Sequence, residues 1–220
     1  MIASHALTGD DLRLADVWDV AVDGAKAGLS AEAHEKMLAA REVVARVAQG
    51  EHTYGVNTGF GRFVSRTIPP EQAEELQLRL LRSHACGVGE PYPSEVVRGA
   101  MLLRANALAK GYSGARPELV ELLLECVNRG VLPHVPARGS VGASGDLAPL
   151  AHLALPLVGE GEAAVKYHSS TVICLTPRRE PGGGRWLAGS LTGAVASQRV
   201  TEASKASLRL VGNQLWSIRA

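Results

Sequence analysis

The sequence predicts an all-α domain of the helical-bundle type followed by an irregular tail, and three observations carry that expectation. Apolar residues recur at helical spacing in six successive stretches. No stretch sustains the period-two alternation of a half-buried strand. Proline, serine and glycine punctuate the stretches where helices begin and end. With 220 residues, 46% of them hydrophobic, the chain can bury one sizeable core without disulfide or metal staples.

The first predicted helix, about Asp10 to Val22, places Leu12, Leu14, Val17, Trp18 and Ala21 at roughly helical spacing. Ser30 is a natural N-cap for a second helix to about Gln49, carrying Met37, Leu38, Val44 and Val47, with Gly50 as its stop. Pro69 and Pro70 open a third, to about Ser83, whose acidic first turn (Glu71, Glu74, Glu75) suits the positive helix end. A fourth runs from about Ser94 to Lys110, and a fifth from Pro117 to Asn128 ahead of Gly130. The sixth starts near Ser144 and Asp146 and carries an apolar run to Val158.

Composition excludes several classes. Charged residues are 20% of the chain and balance to +1, which leaves no global basic field for nucleic acid, and aromatics at 4% are too sparse for a base-stacking surface. Three cysteines (Cys86, Cys126, Cys174) make no disulfide framework and point to a reducing compartment. The N-terminus has neither the basic start nor the apolar run of a signal peptide. The longest apolar run, Leu147 to Val158, is too short to span a bilayer and contains Pro149, His152 and Pro156. A soluble cytoplasmic protein, without membrane or nucleic-acid partners, is expected.

The charge balance hides a break. Residues 1–163 carry 15 Lys+Arg against 20 Asp+Glu, whereas residues 164–220 carry 8 against 2, with 11 Ser+Thr, so net charge changes from −5 to +6. The expected organisation is a helical domain over 1–163 and a basic, Ser/Thr/Gly-rich tail over 164–220, whose one helix-like piece is about Thr201 to Leu215.

Two glycine-rich connectors are longer than a bundle needs, and chemistry tends to sit on loops placed by a rigid scaffold. One is Tyr54-Gly55-Val56-Asn57-Thr58-Gly59-Phe60-Gly61; the other is Arg138-Gly139-Ser140-Val141-Gly142-Ala143-Ser144-Gly145-Asp146. Three readings of the second stand side by side. Its glycines could cradle a phosphate at the following helix N-terminus, although it lacks the strand and lysine of a P-loop. It could be a turn capped by Ser144 or Asp146. Or the Gly145 nitrogen could attack the Ala143 carbonyl carbon; loss of water would close a five-membered ring, and dehydration of Ser144 would leave an exocyclic methylidene. That group is a stronger electrophile than any standard side chain.

The stretch Val141-Gly142-Ala143-Ser144-Gly145-Asp146-Leu147-Ala148-Pro149-Leu150-Ala151-His152-Leu153-Ala154 resembles the signature of the aromatic amino acid ammonia-lyases, which make a methylidene-imidazolone group from their own Ala-Ser-Gly. The Tyr54–Gly61 loop, Gly87-Val88-Gly89 and Leu102-Leu103-Arg104-Ala105-Asn106-Ala107-Leu108-Ala109-Lys110-Gly111-Tyr112-Ser113-Gly114 are similar to the same family, in the same order. Arg82-Ser83-His84, followed by Ala85-Cys86-Gly87-Val88-Gly89, is most similar to its histidine-specific members.

The resemblance implies deamination of L-histidine to urocanate and ammonia, with a prosthetic group self-derived from Ala143, Ser144 and Gly145 and with no metal, nucleotide or separate organic cofactor. It implies Tyr54 as the base for a β-proton, His84 facing the substrate imidazole, Gly61 on the substrate-binding side, and Asp146 supporting ring formation. Each has a plainer counterpart: a loop-wall tyrosine, a helix-end histidine, a turn glycine and a helix cap. Asn57 could orient a neighbour. The other six histidines form no Cys/His pattern at metal spacing, and His152 reads as a satisfied core histidine.

Family resemblance ends near Gly159-Glu160-Gly161-Glu162-Ala163, ahead of the pocket segments expected further along, so a frame change or degraded gene end is the expectation for the tail. The family implies a homotetramer in which each site draws on several subunits. Apolar helix faces without cover, and poor solubility or low activity, are therefore expected of this chain. A non-catalytic fragment that assembles with full-length subunits, or a lyase or aminomutase for another aromatic amino acid, are the alternatives.

Overall fold

A computed structural model describes residues 4–50, 52–143, 145–167, 171–178 and 185–188, with the side chains of 70, 74 and those beyond 164 left aside. Six α-helices dominate: α1 (Leu14–Ala21), α2 (Ala31–Ala48), α3 (Pro70–His84), α4 (Ser94–Ala109), α5 (Pro117–Arg129) and α6 (Leu147–Ala154). All six fall inside the stretches the periodicity marks out. Ser30 caps α2 by accepting the Ala33 amide at 3.1 Å, proline stands in the first turn of α3 and of α5, and Gly130 closes α5.

Two boundaries differ from expectation for identifiable reasons. Helix α1 begins four residues late because the Thr8 hydroxyl bonds to Asp11 and Lys110 reaches Asp10 at 2.8 Å, which holds 8–11 in a turn. Asp16 then accepts the Arg13 amide at 2.8 Å at the real start. Helix α6 stops at Ala154 and passes into a 3-10 turn over Leu155–Val158, since Pro156 lacks an amide hydrogen to continue the α ladder.

The core lies between α4 and α5. Met101, Leu102, Ala105 and Leu108 meet Val120, Leu123, Leu124 and Val127, and Val20 of α1, Met37 of α2 and Leu153 of α6 pack around them. Cys126 is buried here, and burial pushes its thiol up to about 12.

Eight short strands accompany the helices. β1 (Ser4–Leu7) and β2 (Lys26–Leu29) pair in parallel across α1. β3 (Val88–Pro91) pairs antiparallel with β5 (Pro136–Arg138). β4 (Val131–Pro133), β6 (Ala163–Tyr167), β7 (Thr171–Arg178) and β8 (Arg185–Ala188) form an antiparallel sheet in that order. Apart from β7, with eight residues, these segments have three to five residues, too short for alternation to mark them, and their pairing is decided by distant neighbours. The Asn128 side chain, for instance, brackets Ala27 of β2, accepting its amide at 2.9 Å and donating to its carbonyl at 2.7 Å. Strand β6 begins at Ala163, where composition changes, so its pairing with β4 crosses that boundary, and β7 and β8 continue the sheet beyond it. The helix-like piece at 201–215 lies outside the described residues.

Candidate active site

The loop ahead of α3 is built around two buried polar residues, Asn57 and Thr58. Asn57 Oδ1 accepts the Thr53 amide at 2.7 Å, and its backbone carbonyl accepts the Ile68 amide at 2.8 Å, so one residue fastens both ends of the loop. Thr58 Oγ1 accepts the Gly55 amide at 3.1 Å and donates to the Gly59 carbonyl at 2.8 Å. A Cβ on Gly59 would stand 2.6 Å from the Phe63 carbonyl oxygen, so this position needs glycine. Gly61, at φ +53°, opens a 3-10 turn over Gly61–Phe63. On this frame Tyr54 is 61% exposed, its ring edge-on to Phe60 at 6.0 Å.

His84 is the last residue of α3. Its Nδ1 lies 2.9 Å from the Leu80 carbonyl oxygen and 3.0 Å from the Ser83 hydroxyl, which itself donates to that carbonyl, so a proton on Nδ1 meets two acceptors and the arrangement favours the tautomer that leaves Nε2 for another partner. The side chain is half-buried at an apolar cavity of about 490 Å³ between α3, α4, α5 and α6, with Leu80, Leu123, Leu150 and Leu157 in its wall and Arg104 beside it. The adjacent Arg82 forms a two-pronged pair with Glu160, at 2.9 and 2.5 Å, which ties the end of α3 to the chain leaving α6 and raises the guanidinium's affinity for its proton.

From His84 the chain passes through Gly87 into β3, and β3 lies on β5, which leads into the 139–146 loop. Gly87 and Gly139 meet backbone to backbone: a Cβ on Gly139 would fall 2.8 Å from the Gly87 Cα. The Gly87 amide donates to His152 Nε2 of α6 at 3.0 Å. The loop is closed by Ser140, whose hydroxyl donates to Asp146 Oδ1 at 2.5 Å and accepts the Gly142 amide at 3.3 Å. Asp146 stands at the N-cap of α6, yet its side chain engages Ser140 and makes no capping bond.

Beyond this closure the loop tip is exposed. Ala143 and Gly145 approach each other as a backbone bridge, Gly142 and Gly145 hold φ of +68° and +80°, and nothing lies within 4 Å of a Cβ built on either glycine. Ser144 itself lies outside the described residues. The segment leaving His84 and the loop carrying Ala143, Gly145 and Asp146 thus meet at the Gly87–Gly139 contact. Among the described residues no hydrogen bond or ring contact joins Tyr54 to it. Gly139 and Ser140 also belong to this neighbourhood and Arg104 lines the cavity beside His84; the sequence signal for the first two is membership of the second glycine-rich connector, and for Arg104 its place in the Leu102–Gly114 stretch.

A helical domain thus presents a small-residue turn at a helix N-terminus, with a histidine and an apolar cavity on the neighbouring helices. The comparison with known families supplies the assignment. The profile described as aromatic amino acid lyase matches residues 12–184, and the chain belongs to that family.

A histidine ammonia-lyase from Caldanaerobacter subterraneus subsp. tengcongensis is 52% identical over 158 residues, 71% of this chain and 31% of that protein. The crystal structure of histidine ammonia-lyase from Trypanosoma cruzi superposes with a TM-score of 0.69 at 42% identity, over 74% of this chain and 32% of that one. The ergothionase from Treponema denticola, an ergothioneine-degrading enzyme, gives 0.73 at 31% identity, over 78% of this chain and 34% of that one. This chain therefore spans about a third of the length of the relatives it matches. No helix among the described residues is long and apolar enough to cross a membrane.

Proposed function

We propose that this chain carries the ring-forming and substrate-facing part of a histidine ammonia-lyase, acting on L-histidine to give urocanate and ammonia. The observation that carries the reading is the shared junction: the Ala143–Gly145 turn and His84 hang from the same Gly87–Gly139 contact. The turn fits a methylidene-imidazolone, because its flanking glycines are in the left-handed region, its small residues leave open space, and Ala143 already approaches Gly145. Ala143, Ser144 and Gly145 would hold that group, which supplies an electrophilic carbon that no standard side chain offers.

The remaining roles belong to the chain's own side chains. His84, with its Nδ1 proton committed to Leu80, presents Nε2 as an acceptor for a substrate imidazole N–H. Asp146 keeps the turn closed through Ser140, and Gly61 gives the Tyr54 loop its bend; the substrate-binding side is the place this reading gives to Gly61. Tyr54 is the base for the β-proton; an ordinary phenol holds its proton to a pH of about 10, so phenolate-stabilising neighbours are part of this proposal. The assembly is a homotetramer in the cytoplasm, where the free thiols Cys86 and Cys126 stay reduced. Residues 164–220 are proposed as a basic tail without a catalytic residue, joined to the helical domain through the β4–β6 pairing.

A second reading has its own support. Leu14 and Trp18 of α1 and Val22 just after it, four residues apart, are 90%, 61% and 48% exposed, which suits a chain that assembles with longer lyase subunits and is not itself a catalyst. An aminomutase or a lyase for another aromatic amino acid keeps the same ring chemistry. Intact-mass measurement decides the central claim. The wild-type chain is expected to weigh less than its sequence by two waters and Ser144→Ala to weigh what its sequence says. Urocanate formation from L-histidine, set against tyrosine and phenylalanine, then separates catalyst from fragment and substrate from substrate. A folded wild-type chain of unreduced mass would overturn the proposal.

A further inference from the structure

Helix α6 follows the loop directly, and the residue that fastens it to the His84 segment is one that neither the ring nor the substrate claims. His152 accepts the Gly87 backbone amide through Nε2 at 3.0 Å. An N–H can only donate, so Nε2 must present a lone pair and the imidazole must carry its proton on Nδ1. The ring lies against Gly87 so closely that a Cβ there would be 3.1 Å from Nε2 and 3.2 Å from Cδ2. The other side of the same glycine is the backbone of Gly139, whose own Cβ would stand 3.5 Å from Ala148 of α6. Three chain segments thus meet at one residue: the run from His84, the entrance to the 139–146 loop, and α6. A tight turn, with the Cys86 amide on the His84 carbonyl at 2.8 Å, leaves little slack between His84 and this point.

We propose that His152, as the neutral Nδ1–H tautomer, is a positioning residue of the site: by clamping Gly87 it fixes His84 relative to the Ala143–Gly145 turn. The roles of His84 and the turn rest on the functional reading above, whereas the clamp rests on geometry alone. The surroundings keep the imidazole neutral. Burial lowers its affinity for a proton and the charge of His134 acts in the same direction. The elements packed on α6 add His84 and Arg82 from α3 and Arg138 from β5, while Glu160 is committed to Arg82. A histidine that merely filled space would be replaceable by leucine; one that clamps needs an acceptor.

The test uses the 220-residue chain labelled with 15N. The imidazole nitrogens of His152 are expected to report a protonated Nδ1 and an unprotonated Nε2. Exchange of the Gly87 amide is expected to quicken about five- to tenfold in His152→Leu, the loss of one neutral hydrogen bond. It should return toward wild type in His152→Gln, whose Oε1 can accept, and the His84 ring resonances should shift and return with it. A protonated Nε2 in the wild type, or a Gly87 exchange rate and His84 resonances untouched by leucine, overturns the clamp. If the leucine variant does not fold, the wild-type tautomer and the glutamine variant decide. Intact mass is read on the same samples. A clamp signature without loss of two waters keeps the positioning role and removes the functional reading; loss of two waters with no clamp signature does the reverse.

Discussion

The two glycine-rich loops of this molecule are held in opposite ways. The loop that carries Tyr54 is fastened from within, by the buried Asn57 and Thr58, and shows an aromatic side chain to solvent on a frame that owes little to other elements. The loop that carries Ala143 to Gly145 is fastened from its ends, through Gly139 on Gly87 and Ser140 on Asp146, and its tip is clear of neighbours. The difference suits the roles proposed above. A loop that carries the proposed base is stiffened throughout, which gives that residue a defined position. A backbone proposed to cyclise would lose an amide and change its dihedrals, which an open tip on an anchored base allows.

Substitutions can break this contrast, and the largest expected effect is chemical. Ser144→Ala should abolish the mass loss of two waters and all urocanate formation while leaving the urea unfolding midpoint where it was. Next is Gly139→Val, which drives a side chain into the Gly87 backbone at 2.8 Å from a left-handed conformation. Overpacking of this kind costs roughly 1–3 kcal/mol, to be read as a lower unfolding midpoint, with mass loss reduced as well because the loop's anchor moves. Asn57→Ala leaves the Thr53 amide without its acceptor and should cost about 1–3 kcal/mol by thermal denaturation, yet the mass loss should persist since the other loop is anchored separately.

A smaller effect comes from pH. Folded His152 resists a proton that its unfolded counterpart accepts below about 6.5. Its contribution to stability is therefore complete above that range and declines as pH falls through it. Unfolding midpoints measured on either side of that value should differ in wild type and differ less in His152→Gln. The smallest stability effect is Tyr54→Phe, a change at an exposed ring that should leave thermal stability within about 0.5 kcal/mol while removing deamination in an active assembly.

Helix α2 shows how much of the fold was legible beforehand. Ser30 as cap and Gly50 as stop bracket the helix that forms, and Pro117 with Gly130 does the same for α5, because caps and breakers act on the residues beside them. The two glycine-rich loops and the reactivity of an Ala-Ser-Gly turn were legible from their own residues, whereas Tyr54 and His84 were singled out by resemblance to the lyase family. What could not be read was who meets whom. β1 and β2 have no alternation to betray them and are held by Asn128, about a hundred residues away. Asp146 looked equally ready to cap α6 or to serve the turn, and only the position of Ser140 settled which oxygen it faces.

The sequence by itself determined six helices, their caps and the chemistry available in two loops, since propensity, capping and the reactivity of a small-residue turn are local properties. Only the tertiary structure decided that Gly87, Gly139 and His152 converge, and hence that His84 and the Ala143–Gly145 turn share one junction. That convergence depends on two backbones meeting so closely that a Cβ has no room between them and on a lone pair meeting an N–H across 65 residues of chain, and no pattern along the sequence encodes such a distance.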